Sequence, residues 1–94
     1  MKIVIAGAGV VGESLCSELS AEGNDVILIE KVEKILNRLV ETYDITGLVG
    51  NGASYETLLE AGTDTADIFI AATESDELNI ISSIIAKKLT SLLI

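Results

Sequence analysis

Three glycines near the N-terminus have a spacing that favours the binding of an anion. Gly7, Gly9 and Gly12 form the pattern Gly-x-Gly-x-x-Gly directly after the apolar residues 3–6. A glycine turn that opens a helix brings backbone N–H groups and the positive end of the helix dipole close to phosphate oxygens. We expect Gly7 to permit the turn, Gly9 to leave room for a pyrophosphate, and Gly12 to let the helix pack on the sheet.

A carboxylate stands at the end of the second predicted strand, where a Rossmann unit has its ribose-binding acid. A second apolar run, residues 26–29, ends at Glu30. Glycine turns are common, so the glycine pattern alone is weak evidence. The order strand, glycine turn, helix, strand and acid is much more specific, and it is the arrangement of a Rossmann nucleotide-binding unit.

Strand-like and helix-like segments alternate along the whole chain. This alternation predicts an α/β fold with right-handed crossovers, namely a Rossmann-like doubly wound parallel sheet of about four strands in the order 3-2-1-4, lacking the second half. We expect the fourth strand to be buried on both faces, and the last helix to follow an opening formed by Thr73 and Ser75. The predicted strands are residues 2–6, 26–29, 45–49 and 67–72, and the other predicted helices are residues 10–21, 32–43 and 55–60. The apolar positions of the last helix are Leu78, Ile81, Ile84, Ile85 and Leu89.

Small and polar residues occur wherever a predicted strand ends. The carboxyl ends of parallel strands meet at one edge of the sheet, so these turns are expected to lie together beside a ligand. The turns are Gly7–Gly12, Glu30-Lys31, Gly50–Ala53 and Ala72-Thr73.

Composition excludes several classes of function. The chain has 94 residues, of which 49% are hydrophobic and 22% charged, and this is a globular composition for a single domain. A net charge of −9 argues against non-specific binding of nucleic acid and against adhesion to anionic lipid. Charged residues interrupt every apolar run, and no signal-peptide pattern precedes the first strand, so we expect a cytoplasmic protein without membrane insertion.

The cysteine and histidine content limits the available chemistry. Cys16 is the single cysteine, and in a helix pattern it is expected to be buried and unreactive. Histidine is absent, which removes nucleophilic devices of the Ser-His-Asp or Cys-His type. No metal site is expected, and the chain is not expected to be an enzyme.

The order of these turns resembles the TrkA N-terminal domain family, also called the RCK or KTN domain, a cytosolic regulator of potassium uptake. Most of the chain takes part in the resemblance, and the later blocks are more specific than the glycine turn. Asn51 departs from the family, which usually has Gly-Asp-Ala or a similar triplet in the third-strand turn. The blocks that carry the resemblance are residues 1–12, 26–31, 50–54, 58–62, 66–67 and 71–79.

The resemblance implies a ligand and a set of binding residues. The ligand is NAD(H) in the first place, with ATP or ADP as the alternative. The resemblance assigns the amides of the glycine turn to the phosphates and Glu30 to the adenosine ribose, where its charge disfavours the 2′-phosphate of NADP. Lys31 reaches ribose or phosphate, or lies in water. The predicted binding residues are Gly7, Gly9, Val10, Val11, Gly12, Glu30, Lys31, Asn51, Gly52, Ala53, Ala72 and Thr73.

Three of these residues have more specific roles by the same resemblance. Asn51 and Ala53 line the adenine edge, where an amide both donates and accepts hydrogen bonds. The Thr73 hydroxyl binds phosphate or ribose, or alternatively caps the last helix. The residue types of Asp76 and Glu77 fit acid–base work or a cation site, but adjacent acids in the first turn of a helix also complement its dipole, and we favour this second interpretation.

Family domains continue through at least two more strand–helix units, beginning near a basic fifth strand that this sequence lacks. Residues 1–94 are therefore interpreted as one truncated domain, either a fragment or a naturally short reading frame. An uncovered fourth strand and last helix would seek a partner. We expect a homodimer through that region, with residues 92–94 as a segment that two subunits exchange.

Three functional hypotheses stay open at this point. The leading one is a regulatory, nucleotide-binding subunit or domain of a membrane potassium transporter or channel, peripheral to the inner face of the plasma membrane. The second is the N-terminal fragment of an NAD-dependent dehydrogenase. The third is a folded assembly piece that binds no ligand.

Overall fold

The computed structural model describes residues 1–91 of the chain as one four-stranded parallel sheet with helices on both faces. The strand order is β3-β2-β1-β4, as predicted, and the predicted bounds differ from the observed ones by no more than a few residues. The strands are β1 (Lys2–Ala6), β2 (Asp25–Glu30), β3 (Thr46–Val49) and β4 (Ile68–Ala71). The helices are α1 (Val10–Ala21), α2 (Glu33–Thr42), α3 (Tyr55–Glu60) and α4 (Asp76–Ser91), with a 3-10 turn at Thr63–Thr65.

The two central strands form the core of the molecule. β1 pairs with β2 from Lys2 opposite Asp25 to Ala6 opposite Ile29. Nearly every side chain of these strands is buried, because helices cover both faces of the sheet. Alternate residues therefore contribute to two separate cores, one under α1 and α2 and the other under α3 and α4.

The outer strand β4 corrects one prediction. We expected it to be buried on both faces, but its residues are half-buried and Ile68 is exposed. The reason is its place in the sheet, since β4 pairs with β1 on one side only and forms an edge among residues 1–91. Such an edge leaves backbone N–H and C=O groups available for pairing.

Helix α4 does not bury all of its apolar positions. Ile81 and Ile84, two of the apolar positions named from the sequence, are 46% and 54% exposed. The residues of α4 that face the sheet recur every three or four positions, and they include the buried Ser82 and Leu89. Because Ile80 is also exposed, α4 carries an apolar outer surface.

On the opposite face of the sheet, α1 buries Gly12 and Cys16. Cys16 is fully buried, as predicted, and desolvation together with the nearby Glu13 carboxylate raises the pKa of its thiol to about 11. A thiol of this kind is protonated and inert near neutral pH.

An ion pair joins α1 to α2 at the surface. The Arg38 guanidinium donates to both carboxylate oxygens of Glu13, at 3.1 and 3.3 Å. These hydrogen bonds are the main reason why the pKa of Glu13 lies below its ordinary value. Both side chains are solvent-accessible, so we regard the pair as a minor contribution to stability.

No helix within residues 1–91 combines the length and the apolar character needed to cross a membrane. The predicted exchange of residues 92–94 between subunits lies outside the described residues.

Candidate functional site

The glycine turn begins where β1 ends, and the fold itself requires two of its glycines. Gly7 has a φ of +106°, and a Cβ there would stand 2.7 Å from the backbone nitrogen of Thr73. A Cβ on Gly12 would overlap the carbonyl oxygen of Gly7. The packing role expected of Gly12 is confirmed, because α1 approaches the turn too closely for any side chain at this position.

Gly9 is different, because a side chain at this position would fit within the protein. Its nearest neighbour would be Cγ of Glu74 at 3.5 Å, an ordinary contact. Gly9 is also the N-cap residue of α1, and no side chain caps this helix. The first-turn amides of Val10 and Val11 have no acceptor within the helix, as in any α-helix. An open glycine beside uncapped amides is suited to close approach by an anion.

The Glu30 carboxylate lies beside this turn and is held in place by two backbone amides. Its Oε1 accepts a hydrogen bond from Ala8 N at 3.0 Å, and its Oε2 accepts one from Val32 N at 2.8 Å. The side chain thus links the end of β2 to the glycine turn after β1. An ionised carboxylate has about four acceptor sites, so two hydrogen bonds leave capacity for two further donors.

The turn after β3 is ordered by its own side chains. Asn51 Oδ1 accepts a hydrogen bond from Ala53 N at 2.9 Å, which forms a local Asx turn. Ser54 then caps α3 by accepting a hydrogen bond from Thr57 N. At Gly52 a Cβ would stand 2.9 Å from the Ala6 side chain, so this turn packs tightly against the end of β1.

The turn after β4 is locked by Asn79. Its Oδ1 accepts hydrogen bonds from Thr73 N at 2.9 Å and from Thr73 Oγ1 at 2.6 Å, and its Nδ2 donates to Thr73 O at 3.0 Å. Thr73 neither opens nor caps α4, which begins at Asp76. The helix cap is Ser75, whose hydroxyl accepts from Leu78 N. The Thr73 hydroxyl proton is used inside the turn, and the expected contact of this hydroxyl with phosphate or ribose stays a prediction.

These turns surround one cleft of about 440 Å³ at the carboxyl edge of the sheet. This volume is in the range of small-molecule sites. The convergence that sequence reasoning expected is therefore present in the structure. The predicted residues that line the cleft are Gly7, Gly9, Glu30, Lys31, Asn51, Gly52, Ala53 and Thr73.

The remaining predicted residues lie apart from the cleft. Val10, Val11 and Ala72 line a shallower groove of about 350 Å³, which shares Gly9, Thr73 and Glu74 with the cleft. Gly12 lines neither space, because it is buried beneath the turn.

Sequence reasoning missed several residues that line the cleft. Leu78 and Ser82 contribute from α4, and Ser82 is almost fully buried, with its hydroxyl donating to Asn79 O at 3.2 Å. Their four-residue spacing was a usable signal, but Leu78 had been named only as an apolar position of the last helix, and Ser82 had not been selected. Glu74, Ser75, Ala8, Gly50, Ile29 and Ile35 also line the cleft without having been selected.

Three charged side chains line the two spaces. Glu30 and Lys31 follow β2, and Glu74 follows β4 beside Gly9. Within residues 1–91 no group of three or more metal-ligating side chains is placed to hold an ion. The cleft is thus lined mainly by small, polar and apolar residues, with Glu30 and Lys31 after β2 and Glu74 after β4.

The fold and the edge that carries the cleft define a Rossmann-like domain, with a parallel sheet of order 3-2-1-4 and a glycine turn after its first strand. The sequence profile of the TrkA-N domain matches residues 3–93. The chain belongs to this family.

Relatives with established names agree with this assignment. A Trk system potassium uptake protein TrkA homolog of Archaeoglobus fulgidus is 46% identical over 88 residues, which is 94% of this chain and 20% of that protein. A homolog of the same name from Methanothermobacter thermautotrophicus is 40% identical over 88 residues, with coverage of 94% and 41%. The chain therefore spans less than half the length of these relatives.

A solved structure with a similar fold is described as the Kef CTD of Shewanella denitrificans in AMP bound form. The TM-score is 0.80 at 20% sequence identity, and the match covers 94% of this chain and 52% of that one. At this level of identity the likeness concerns the fold.

Proposed function

We propose that this protein is a regulatory domain that binds an adenosine-containing nucleotide and transmits its presence to a potassium transporter or channel. The observation that carries the proposal is the meeting of four turns around one cleft. Gly7 and Gly9 of the glycine turn and the carboxylate of Glu30 line this cleft, and the uncapped first turn of α1 lines the adjoining groove that shares Gly9 with it. Amides suit a diphosphate, and a carboxylate suits the two hydroxyls of a ribose.

Within this proposal, NAD(H) is the favoured ligand, and ATP or ADP is the alternative. The Glu30 carboxylate already accepts hydrogen bonds from Ala8 N and Val32 N. Its remaining acceptor positions accept hydrogen bonds from the ribose hydroxyls. Its charge repels a 2′-phosphate, which disfavours NADP. The relatives' names support the potassium-transport partner, and the AMP in the description of the Kef structure supports an adenosine ligand.

The proposed role is regulation without catalysis. The relatives are named for potassium uptake and not for a reaction. Hydride transfer requires a substrate held beside the nicotinamide, and the cleft residues of this chain supply no histidine for proton transfer. In the cell the domain would lie at the inner face of the plasma membrane when it is bound to its transporter.

Thermal unfolding with separate additions of NADH, ATP, ADP and NADPH tests the ligand class. A ligand at about 100 times its Kd stabilises the folded state by about 2.7 kcal/mol, which raises Tm by about 10 °C or more for a small domain. We expect NADH to stabilise the protein more than NADPH does, with no oxidation of NADH. Turnover would favour the dehydrogenase fragment, and no shift with any of the ligands would favour the assembly piece.

Glu30→Gln tests the site itself. Hydrogen bonds from ribose hydroxyls to a charged acceptor contribute about 1.5–3 kcal/mol, so we expect the Kd for NADH to rise about 10- to 100-fold. Glu41→Gln is the matched control, because it makes the same charge change at an exposed position of α2 outside the cleft. Calorimetry in which both variants bind like the wild type would contradict the assignment of Glu30.

We also propose a homodimer that covers β4 and the outer surface of α4. The support is the edge of β4 and the exposure of Ile80 (61%), Ile81 and Ile84 on the helix. Exposed apolar surface of this kind marks interaction sites. Sedimentation equilibrium is expected to show a concentration-dependent dimer, and a monomer at every concentration would contradict it.

A further inference from the structure

Glu74 lies beside the glycine turn, and the proposed function assigns it no role. Its Cγ lies 3.5 Å, and its Oε1 3.8 Å, from the point where a Cβ on Gly9 would stand. It is the one charged residue that lines both the cleft and the neighbouring groove. Any phosphate held by the amides at the beginning of α1 would therefore lie close to this carboxylate.

The backbone that carries this carboxylate belongs to a rigid turn. Asn79 holds the residue before it through three hydrogen bonds to Thr73. Ser75, the residue after it, is fixed as the cap of α4 and donates its N–H to Thr73 Oγ1 at 3.2 Å. The backbone of Glu74 is thus fixed on both sides, and movement of the turn away from a ligand would break these hydrogen bonds.

No positive side chain balances Glu74 at this end. Among the described residues that line the cleft or the groove, Lys31 is the one cation, and it follows β2 beside Glu30. Val10 is 82% exposed at the beginning of α1, where a lysine or arginine would otherwise reach a terminal phosphate. The phosphate end of the site therefore combines amide dipoles with one negative charge.

We infer that Glu74 is a specificity-determining residue that weakens binding as the negative charge at the phosphate end of the ligand increases. The inference rests on the proposed function and specifies its ligand. A dinucleotide continues from its diphosphate into an uncharged ribose, whereas ADP and ATP end in additional charge. Glu74 therefore favours NADH over ADP, and ADP over ATP.

The test is calorimetry of the wild type and of Glu74→Gln with NADH, ADP and ATP in the absence of divalent cations. Two charges about 5 Å apart in water change an affinity about threefold to fourfold. ATP carries about two more negative charges than NADH, so the ratio of the Kd values for ATP and NADH should fall about tenfold in the variant. The gain in affinity should follow the order ATP, ADP, NADH. It should shrink as salt is raised, because an exposed carboxylate is screened.

Glu77→Gln is the matched control. It makes the same change in net charge only three residues away, but Glu77 is exposed and lines neither space. We expect its ATP-to-NADH ratio to equal that of the wild type. Equal ratios in all three proteins would overturn the inference while leaving the nucleotide site intact.

Magnesium provides a second test that could overturn the inference. If Glu74 instead bound a divalent cation that bridges it to the phosphates, Mg²⁺ would strengthen ATP binding in the wild type, and Glu74→Gln would abolish that gain. Absence of binding by any of the three nucleotides to the wild type would overturn the proposed function together with this inference.

Discussion

Helices α1 and α4, which follow β1 and β4, differ in how far their surfaces are covered by the rest of the chain. α1 begins at the glycine turn, packs Gly12 and Cys16 on the sheet, and is tied to α2 by an ion pair. α4 buries Leu89 but exposes a row of isoleucines beside an edge strand. The α1 side of the sheet is thus covered by the chain's own helices, while the α4 side leaves an edge strand and exposed isoleucines. In the proposed function, a ligand in the cleft would contact turns on both sides, and its binding would reach the proposed dimer surface through α4.

The largest effect is expected at Gly7, where the two sides meet. Gly7→Ala would place a Cβ against the Thr73 backbone at a φ of +106°, and we expect a loss of about 4 kcal/mol in the free energy of unfolding. Gly23→Ala is the control, because Gly23 has a φ of +85° but no atom within 4 Å of the added Cβ. That variant should lose only about 1–2 kcal/mol. Equal losses in urea titrations would show that the turn does not depend on contact between the two sides.

The next prediction compares the stability cost of truncating a buried and an exposed residue of α4. Leu89→Ala removes a buried side chain and should cost about 2–5 kcal/mol at any protein concentration. Ile84→Ala alters an exposed residue, so in the monomer it should cost about 0.5 kcal/mol or less. In a dimer its cost should increase with protein concentration, which thermal unfolding over a dilution series would detect. A large cost at every dilution would place Ile84 in the core of the monomer.

A smaller effect than that of Leu89→Ala is expected from the buried thiol of Cys16 in α1. The pKa of Cys16 is raised from 9.0 to about 11 in the folded protein, so the folded state favours the protonated thiol. This stabilisation is fully present below pH 9 and is lost as the pH rises towards 11. The wild type should therefore lose about 2–3 kcal/mol more than Cys16→Ala over this range. Parallel pH dependence of unfolding in the two proteins would contradict the burial of the thiol.

Sequence reasoning predicted the fold more completely than the site. Periodicity located every strand and helix, because runs buried on both faces and amphipathic helices have different repeats. The glycine spacing and Glu30 located the correct edge of the sheet. Glu74 and Ser82 were missed, since their importance comes from neighbours distant in sequence, namely Gly9 for Glu74 and the cleft walls for Ser82.

The amino-acid sequence by itself determined the family, the order of the elements, and the turns that had to be small or polar. These properties depend on residue type and local spacing, which every segment carries within itself. The tertiary structure decided which apolar face of α4 was buried, which amides hold Glu30, and which charge stands beside Gly9. Such properties depend on how the helices are rotated and how closely the turns approach one another, and these are set only when distant segments pack together.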